Sequence, residues 1–445
     1  MASDWAAAAP LVVCGPMVRR VGPEGASVFV ATRAACVVEL RVFRPGEAAA
    51  VRWGARATVP LGPRLHVAVV TADAGAALEW GAGYGYELEF SVGGQTRGLR
   101  DDGVLVARYA EASLEEQLVY RAGDRPGFVL PAAEVGALRI VHGSCRKLHG
   151  AGHDALAHVD HLIGLAVTRD RRPGLTAAVA RPQLLCLTGD QIYADDVHTS
   201  LLRRLQVYAA LDLDGAEGVE IADLWPGRRA AALAGAGLTS GAMGSHLVGF
   251  AEFVAMYVFA WSPVPWGLFE KVPDDLAAAF DALPRVRRAL ANVSSLMVFD
   301  DHEVTDDWNI RRAWFEAVMG GGYGRRVVRN GLLAYAVFQH WGNDPAAFAA
   351  GAGAGLLAAL ETGWRGRAGI GRRWRRWRSG WAWWRRALGR GRGRGRWITG
   401  GATRRRARWW WGSIAGCGGG SWGGRWTWRA GRRSTRRCRR RRGGG

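Results

Sequence analysis

From Trp364 to its last residue this chain has no aspartate, glutamate, lysine or histidine. Arginine (27), glycine (21) and tryptophan (13) supply 61 of those 82 residues. A segment without carboxylates or imidazoles cannot hold a hard metal ion. Without apolar periodicity it cannot define a core, and its self-repulsion opposes compaction, so disorder is expected there. All 39 acidic residues therefore lie in the first 363, beside 33 basic ones, and the chain's net +21 belongs entirely to the tail. Other absences exclude other classes. Six cysteines occur at 14, 36, 145, 186, 417 and 438 with no CxxC pair, which argues against a disulfide scaffold. No HExxH zinc pair is present. The longest apolar stretch, residues 247–261, carries Glu252 and is followed by Pro263; it is too short to span a bilayer and reads as a buried helix. The N-terminus, MASDWAAAAPLVVCG, has neither a basic leader region nor a twin arginine, so no transmembrane or export segment is read and the cytoplasm is the default compartment.

Two readings stay open for the tail. GRGRGR (391–396) resembles arginine–glycine arms that bind nucleic acid, with tryptophans available to stack on bases. Alternatively the segment is an out-of-frame translation. TGG, CGG and GGG encode Trp, Arg and Gly, and TGG-CGG-CGG shifted by two bases reads as alanine, abundant in the body of the chain.

The body divides by pattern. Short alternating runs at SVFVAT (27–32), VVELRVF (37–43), LHVAVV (65–70) and YGYELEF (84–90), separated by Gly/Pro turns, predict an N-terminal antiparallel β-sandwich of fibronectin or immunoglobulin type over residues 1–110. A linker is expected over 111–136. An α/β domain is expected over 137–362, where strands alternate with longer stretches of helical spacing at 154–167, 247–260, 330–341 and 346–361. The basic tail occupies 363–445.

Three apolar runs in the α/β part end in concentrated chemistry: LRIVHGSC (138–145), LLCLTGDQIYADD (184–196) and SLMVFDDHEVTDDWN (295–309). Such runs read as buried parallel strands, and ligands of α/β sheets bind beyond the carboxyl ends of strands. Asp190 and Tyr193, three apart past a strand, could be aimed at one point by a tight turn, with oxygen donors suited to Fe(III), Mn or Ca. Asp195 and Asp196 follow, one or both facing solvent. Asp300, Asp301 and His302 offer oxygen ligands and a proton donor, and Glu303, Asp306 and Asp307 crowd more negative charge beside them. That much adjacent charge resists ionisation unless cations neutralise it; the alternative is a solvated acidic loop. Cys145 gains meaning only from this company. Arg146 and Lys147 after it could hold a phosphate or form a solvated basic turn.

GSCRKLHG (143–150), LTGDQIYADDV (187–197) and FDDHEVTDDWN (299–309), in this order, resemble the PhoD-type alkaline phosphatases of the calcineurin-like metallophosphoesterase superfamily. The resemblance covers roughly residues 11–361. It implies a fibronectin-like domain followed by a catalytic domain of α/β/β/α layers, and two-metal hydrolysis of phosphate mono- or diesters. It implies Cys145, Asp190 and Tyr193 as ligands of Fe(3+), with Asp190 bridging to a second ion, Ca(2+) or another divalent metal. Asp301 would bind that second ion, Asp300 would be a ligand or its support, His302 would contact phosphate or protonate the leaving group, and Arg146 would bind substrate. Family members also carry a later strand ending in a Gly-Asp-x-His segment; no such block follows Glu361 here, and the last histidine is His340. The catalytic domain is therefore expected to be incomplete and its activity reduced or lost. The alternative is a non-catalytic truncated product, at most binding nucleic acid through its tail.

Overall fold

The computed structural model describes residues 9–101, 118–121, 124–169, 181–212, 224, 228–308 and 311–365. The basic tail from residue 366, with both readings of it, lies outside them, as do residues 111–117 and 122–123 of the expected linker; the rest of that linker is described, and its residues 127–129 form a strand of the N-terminal sheets.

The N-terminal part is antiparallel. Strands β1 (Val12–Gly22), β2 (Gly25–Thr32), β3 (Val37–Phe43), β4 (Ala50–Ala57), β5 (Val59–Pro60), β6 (His66–Ala72), β7 (Ala74–Gly75), β8 (Gly83–Val92), β9 (Gln95–Gly98) and β10 (Gly127–Val129) form two sheets. One runs β1-β2-β6-β5; the other runs β10-β8-β3-β4-β7, with β9 on β8. Alternation sets their shared face: Val28, Val30, Val70, Val38, Leu40, Val42, Leu88 and Phe90 lie in one buried cluster. The intervening residues of the first sheet, among them Val13, Met17, Phe29, Ala31, Val67 and Val69, join a second cluster with the helices that follow. The β1-β2-β6 sheet is thus buried on both sides, which explains why its strands are so uniformly apolar.

The second part is α/β. Three parallel strands, β11 (Ile140–Gly143), β12 (Leu184–Thr188) and β13 (Ser294–Val298), pair in the order β11-β12-β13 with Ile140, Leu184 and Ser294 in register. Its longer helices are α1 (Leu156–Arg169), α2 (Thr199–Asp212), α3 (Phe250–Trp261), α4 (Asp274–Asn292), α5 (Arg312–Gly320), α6 (Gly322–Tyr335) and α7 (Gly351–Arg365), with shorter helical turns between them. The apolar stretch that was too short for a membrane span is α3, buried along nearly its whole length. No described helix is long and apolar enough to cross a membrane.

The two parts are stitched by polar contacts that no local pattern foretells. Ser294 and Ser295 hydroxyls donate to the carbonyls of Arg19 (2.7 Å) and Val18 (2.9 Å), so β1 lies along β13 through side chains. The fully buried Arg19 guanidinium donates to the Gln339 carbonyl at 2.8 Å and to Asn343 Oδ1 at 2.9 Å. Tyr86 donates to the Ala291 carbonyl (2.9 Å), and Asn292 Oδ1 accepts the Gly127 amide (2.9 Å).

One buried histidine has a consequence for pH. His246 is fully buried; its Nδ1–H donates to the Leu247 carbonyl at 2.7 Å, and its Nε2 has no partner. Burial therefore holds its pKa below the ordinary histidine value. A base with a depressed folded pKa contributes stability that is full above the unfolded value, near 6.5, and is lost as pH falls toward the folded one. Unfolding in urea between pH 7 and pH 5 should reveal this group as a loss of up to about 1.4 kcal/mol per pH unit. His246→Leu should flatten that part of the profile; an unchanged slope would exclude His246 as its source.

Candidate metal centre

The three sequence blocks meet at the carboxyl ends of β11, β12 and β13. Their loops are joined by backbone bonds: the Cys145 and Arg146 amides donate to the carbonyls of Gly189 (3.3 Å) and Asp190 (2.7 Å), and the Ala194 amide donates to the His302 carbonyl (2.8 Å). Among the described residues only Cys145, Asp190 and Asp307 combine a side chain with positive φ, at 58°, 55° and 54°. All three lie in these loops, and backbone strain of this kind clusters where a site over-determines its geometry. Gly189 has φ 108°, and a Cβ there would overlap the Asp300 Cβ, so the Gly-Asp pair after β12 requires glycine for a close approach to the third loop.

Asp190, Asp301 and His302 each present a ligand atom, all within 4.8 Å of one another. Asp190 is only 4% exposed, and its Oδ1 is buried with no hydrogen-bond donor, whereas Oδ2 accepts from the Cys145 thiol at 3.2 Å. An orphaned buried carboxylate oxygen is costly unless something cationic faces it. Burial raises the Asp190 pKa; the Cys145 and His302 contacts oppose this, and the carboxylates of Asp301 and Asp300 reinforce it. Tyr193 is raised too, by burial and then by Asp190. The thiol of Cys145 sits above its ordinary value: Ser144 lowers it, but burial and Asp190 prevail. Crowded groups that all hold their protons tightly are what a bound cation would reverse. The donor set, carboxylate with imidazole and with thiol and phenol alongside, fits a transition metal and a hard divalent ion.

Both Asp301 oxygens also accept backbone amides, from His302 (3.1 Å) and Asp307 (2.7 Å), which fixes the carboxylate's orientation. The Tyr193 ring stacks on His302 at 4.2 Å between centroids. Asp301, Asp306 and Asp307 form a second acidic group that shares Asp301 with the first.

Several sequence expectations change here. Of Asp195 and Asp196, one or both of which were expected to face solvent, Asp195 is buried, and its Oδ1 lies 2.9 Å from His302 Nδ1 while Oδ2 accepts the Asp306 amide at 2.9 Å. Partial burial opposes charge on His302, but the Asp195 bond and the surrounding carboxylates raise its pKa overall. Glu303, read as crowding the site with charge, is fully buried and turned inward. Arg146, expected to hold phosphate, is buried: Nε donates to Asp154 at 2.6 Å and Nη1 to the Ala260 carbonyl. Lys147 is the basic residue on the rim, 5.6 Å over the Tyr193 ring and paired with Asp196. Asp300 stands beside the converging group, its amide held by Glu303. Neither residue carried a signal in the sequence: Asp195 stands in a run of two aspartates, and Glu303 stands directly after an apparent ligand pair.

No family model and no curated relative matches this sequence. A solved structure titled "Structure of PhoD" is similar over 72% of this chain, at 11% identity and a TM-score of 0.34. The chain spans 45% of that structure's length.

Proposed function

We propose that the chain is a metal-dependent phosphoesterase of PhoD type, acting on phosphate mono- or diesters. The observation that carries this reading is the buried Asp190 carboxylate, one oxygen of which has no partner, gathered with Asp301 and His302 so that ligand atoms of all three lie within 4.8 Å of one another. In this reading Asp190, Cys145 and Tyr193 hold Fe(3+), and Asp301 with Asp190 holds Ca(2+) or another divalent ion. When bound, such ions neutralise charge developing on the phosphate and acidify water. Asp195 accepts from His302 Nδ1–H and favours the imidazolium, whose Nε2–H would then pass a proton to the departing alkoxide and leave the neutral ring. Stacking by Tyr193 limits rotation of that ring. Lys147, ion-paired with Asp196, takes the place near the Tyr193 ring that the buried Arg146 does not. The N-terminal sheets are taken as a fibronectin-like sandwich, since their inner faces share one core.

The test is hydrolysis of an aryl phosphate monoester and diester by protein stripped with chelator and then supplied with Fe(3+) and Ca(2+). Release that depends on added metal is expected; the same rate in both samples would end the reading.

A second reading has its own observation. Ile140 is 44% and Val298 40% exposed, and Leu184, Cys186 and Leu296 on the same sheet face are half-buried, so among the described residues that face of β11–β13 lacks a covering layer. Parallel sheets are normally covered on both faces. This favours a catalytically silent half-domain, with nucleic-acid binding through the basic tail as its remaining activity. Salt-dependent oligonucleotide binding that disappears on truncation after Glu361 supports it, and no binding disposes of it.

A further inference from the structure

Glu303 is the most heavily engaged carboxylate near the centre, and none of its partners is a cation. Its Oε2 accepts the amides of Asp190 (2.9 Å) and Asp300 (2.8 Å). Its Oε1 accepts the amide of Gln191 (2.6 Å) and the side-chain amide of Gln339 (3.1 Å). Gln339 in turn donates to Tyr257 Oη on α3 at 3.0 Å. Four N–H groups, two from the loop after β12, one from the loop after β13 and one from the helical segment following α6, converge on one fully buried carboxylate. Asp190 and Asp300 are therefore held to the same oxygen atom, and the left-handed backbone of Asp190 is anchored through its own amide.

We propose that Glu303 is a positioning residue that fixes the separation of the two ligand-bearing loops, and so sets the metal affinity of the centre without touching the metal. The inference rests on the metal-centre reading above. The chemistry requires a carboxylate. A glutamine would keep one acceptor oxygen but turn an NH₂ toward two N–H donors, so one pair of amides would lose its acceptor. The loops would then relax apart, and Asp190 with Asp301 would no longer converge within ligand distance. Groups that orient metal ligands typically change metal affinity by about 10–100-fold when removed.

The experiment is titration of the chelator-stripped full chain with Mn(2+) alone, followed by calorimetry and by the Mn(2+) resonance signal, for four proteins. Wild type is compared with Glu303→Gln, with Gln339→Met and with Tyr86→Phe. Glu303→Gln is expected to weaken Mn(2+) binding by about 10–100-fold. Gln339→Met, which removes one donor from Glu303 and leaves both loops chemically intact, is expected to weaken it by about five-fold. Tyr86→Phe deletes the remote bond to Ala291; it should lower the thermal midpoint and leave the Mn(2+) affinity unchanged, which separates positioning from general destabilisation. Wild-type affinity in both Glu303→Gln and Gln339→Met overturns the proposal. If Glu303→Gln does not fold, the Gln339→Met affinity decides alone. If wild type itself binds no Mn(2+), the metal-centre reading fails first and this role with it.

Discussion

Asp190→Asn is expected to act in opposite directions on stability and on function. In the metal-free protein, Asp190 is a buried carboxylate whose Oδ1 has no partner and whose pKa burial has raised. An acid with a raised folded pKa costs stability as pH rises from its unfolded value, near 4, through the folded one, so the cost is larger at neutral than at acid pH. Asparagine keeps the shape and removes the charge. Urea unfolding of chelator-treated protein at pH 7 should show Asp190→Asn more stable than wild type by about 0.5–2 kcal/mol, the usual gain from relieving a strained functional group. Metal uptake should fail in the same variant, and hydrolysis of an aryl phosphate should fall by on the order of 10³-fold, since charge neutralisation at phosphorus is worth several kcal/mol. Asp301→Ala should show the same loss of hydrolysis. A less stable Asp190→Asn protein that still binds metal would make Asp190 an ordinary structural residue.

Glu252→Ala is expected to do the reverse, with a large loss of stability and no connection to metal. Glu252 sits in the first turn of α3, and its carboxylate accepts the amides of Val248 (2.9 Å) and Gly249 (3.2 Å) at the positive end of the helix. It also pairs with Arg229 through both guanidinium nitrogens, at 3.1 Å from Nη1 and in close contact with Nη2. Both side chains are buried, and Arg229 donates further to the His246 carbonyl at 2.7 Å. Alanine would strand a buried guanidinium and uncap the most deeply buried helix of the domain. Breaking such a pair from one side costs about 3–5 kcal/mol. The thermal midpoint should fall by on the order of 10 °C. A drop within the error of the measurement would mean that Arg229 finds water or another acceptor, and that the pair is dispensable.

These two acidic residues could not have been told apart by inspection of the chain. Asp190 stands after an apolar run and Glu252 inside one; only their partners decide that one is a ligand candidate and the other a structural counter-charge. The same holds within DDHE. Asp300, Asp301, His302 and Glu303 are consecutive, and the single helical turn Asp301–Glu303 sends successive side chains in different directions. Asp301 and His302 point to the centre, while Glu303 points to the core. Arg146 next to Cys145 turned inward to Asp154, and its neighbour Lys147 stayed at the rim. Adjacent residues share a place along the chain but not a direction, and direction is set by what packs against the turn.

Sequence alone determined what local chemistry can dictate. Alternating runs became β2, β3, β6 and β8, and helical spacing became α1, α3 and α7. Three continuous apolar runs became β11, β12 and β13, with Gly189 marking the turn where the second and third loops approach. These follow from side-chain periodicity and backbone freedom, which act over a few residues. Tertiary structure alone decided which carboxylates gather and which are neutralised, because those pairings join residues more than a hundred positions apart. Asp195 meets His302, Glu303 meets the amides of Asp190 and Gln191, and Arg19 crosses from the first strand to Gln339 and Asn343. Each of these bonds forms only where distant segments bury the same polar atoms from water, and the cost of leaving those atoms unpaired gives the centre its geometry.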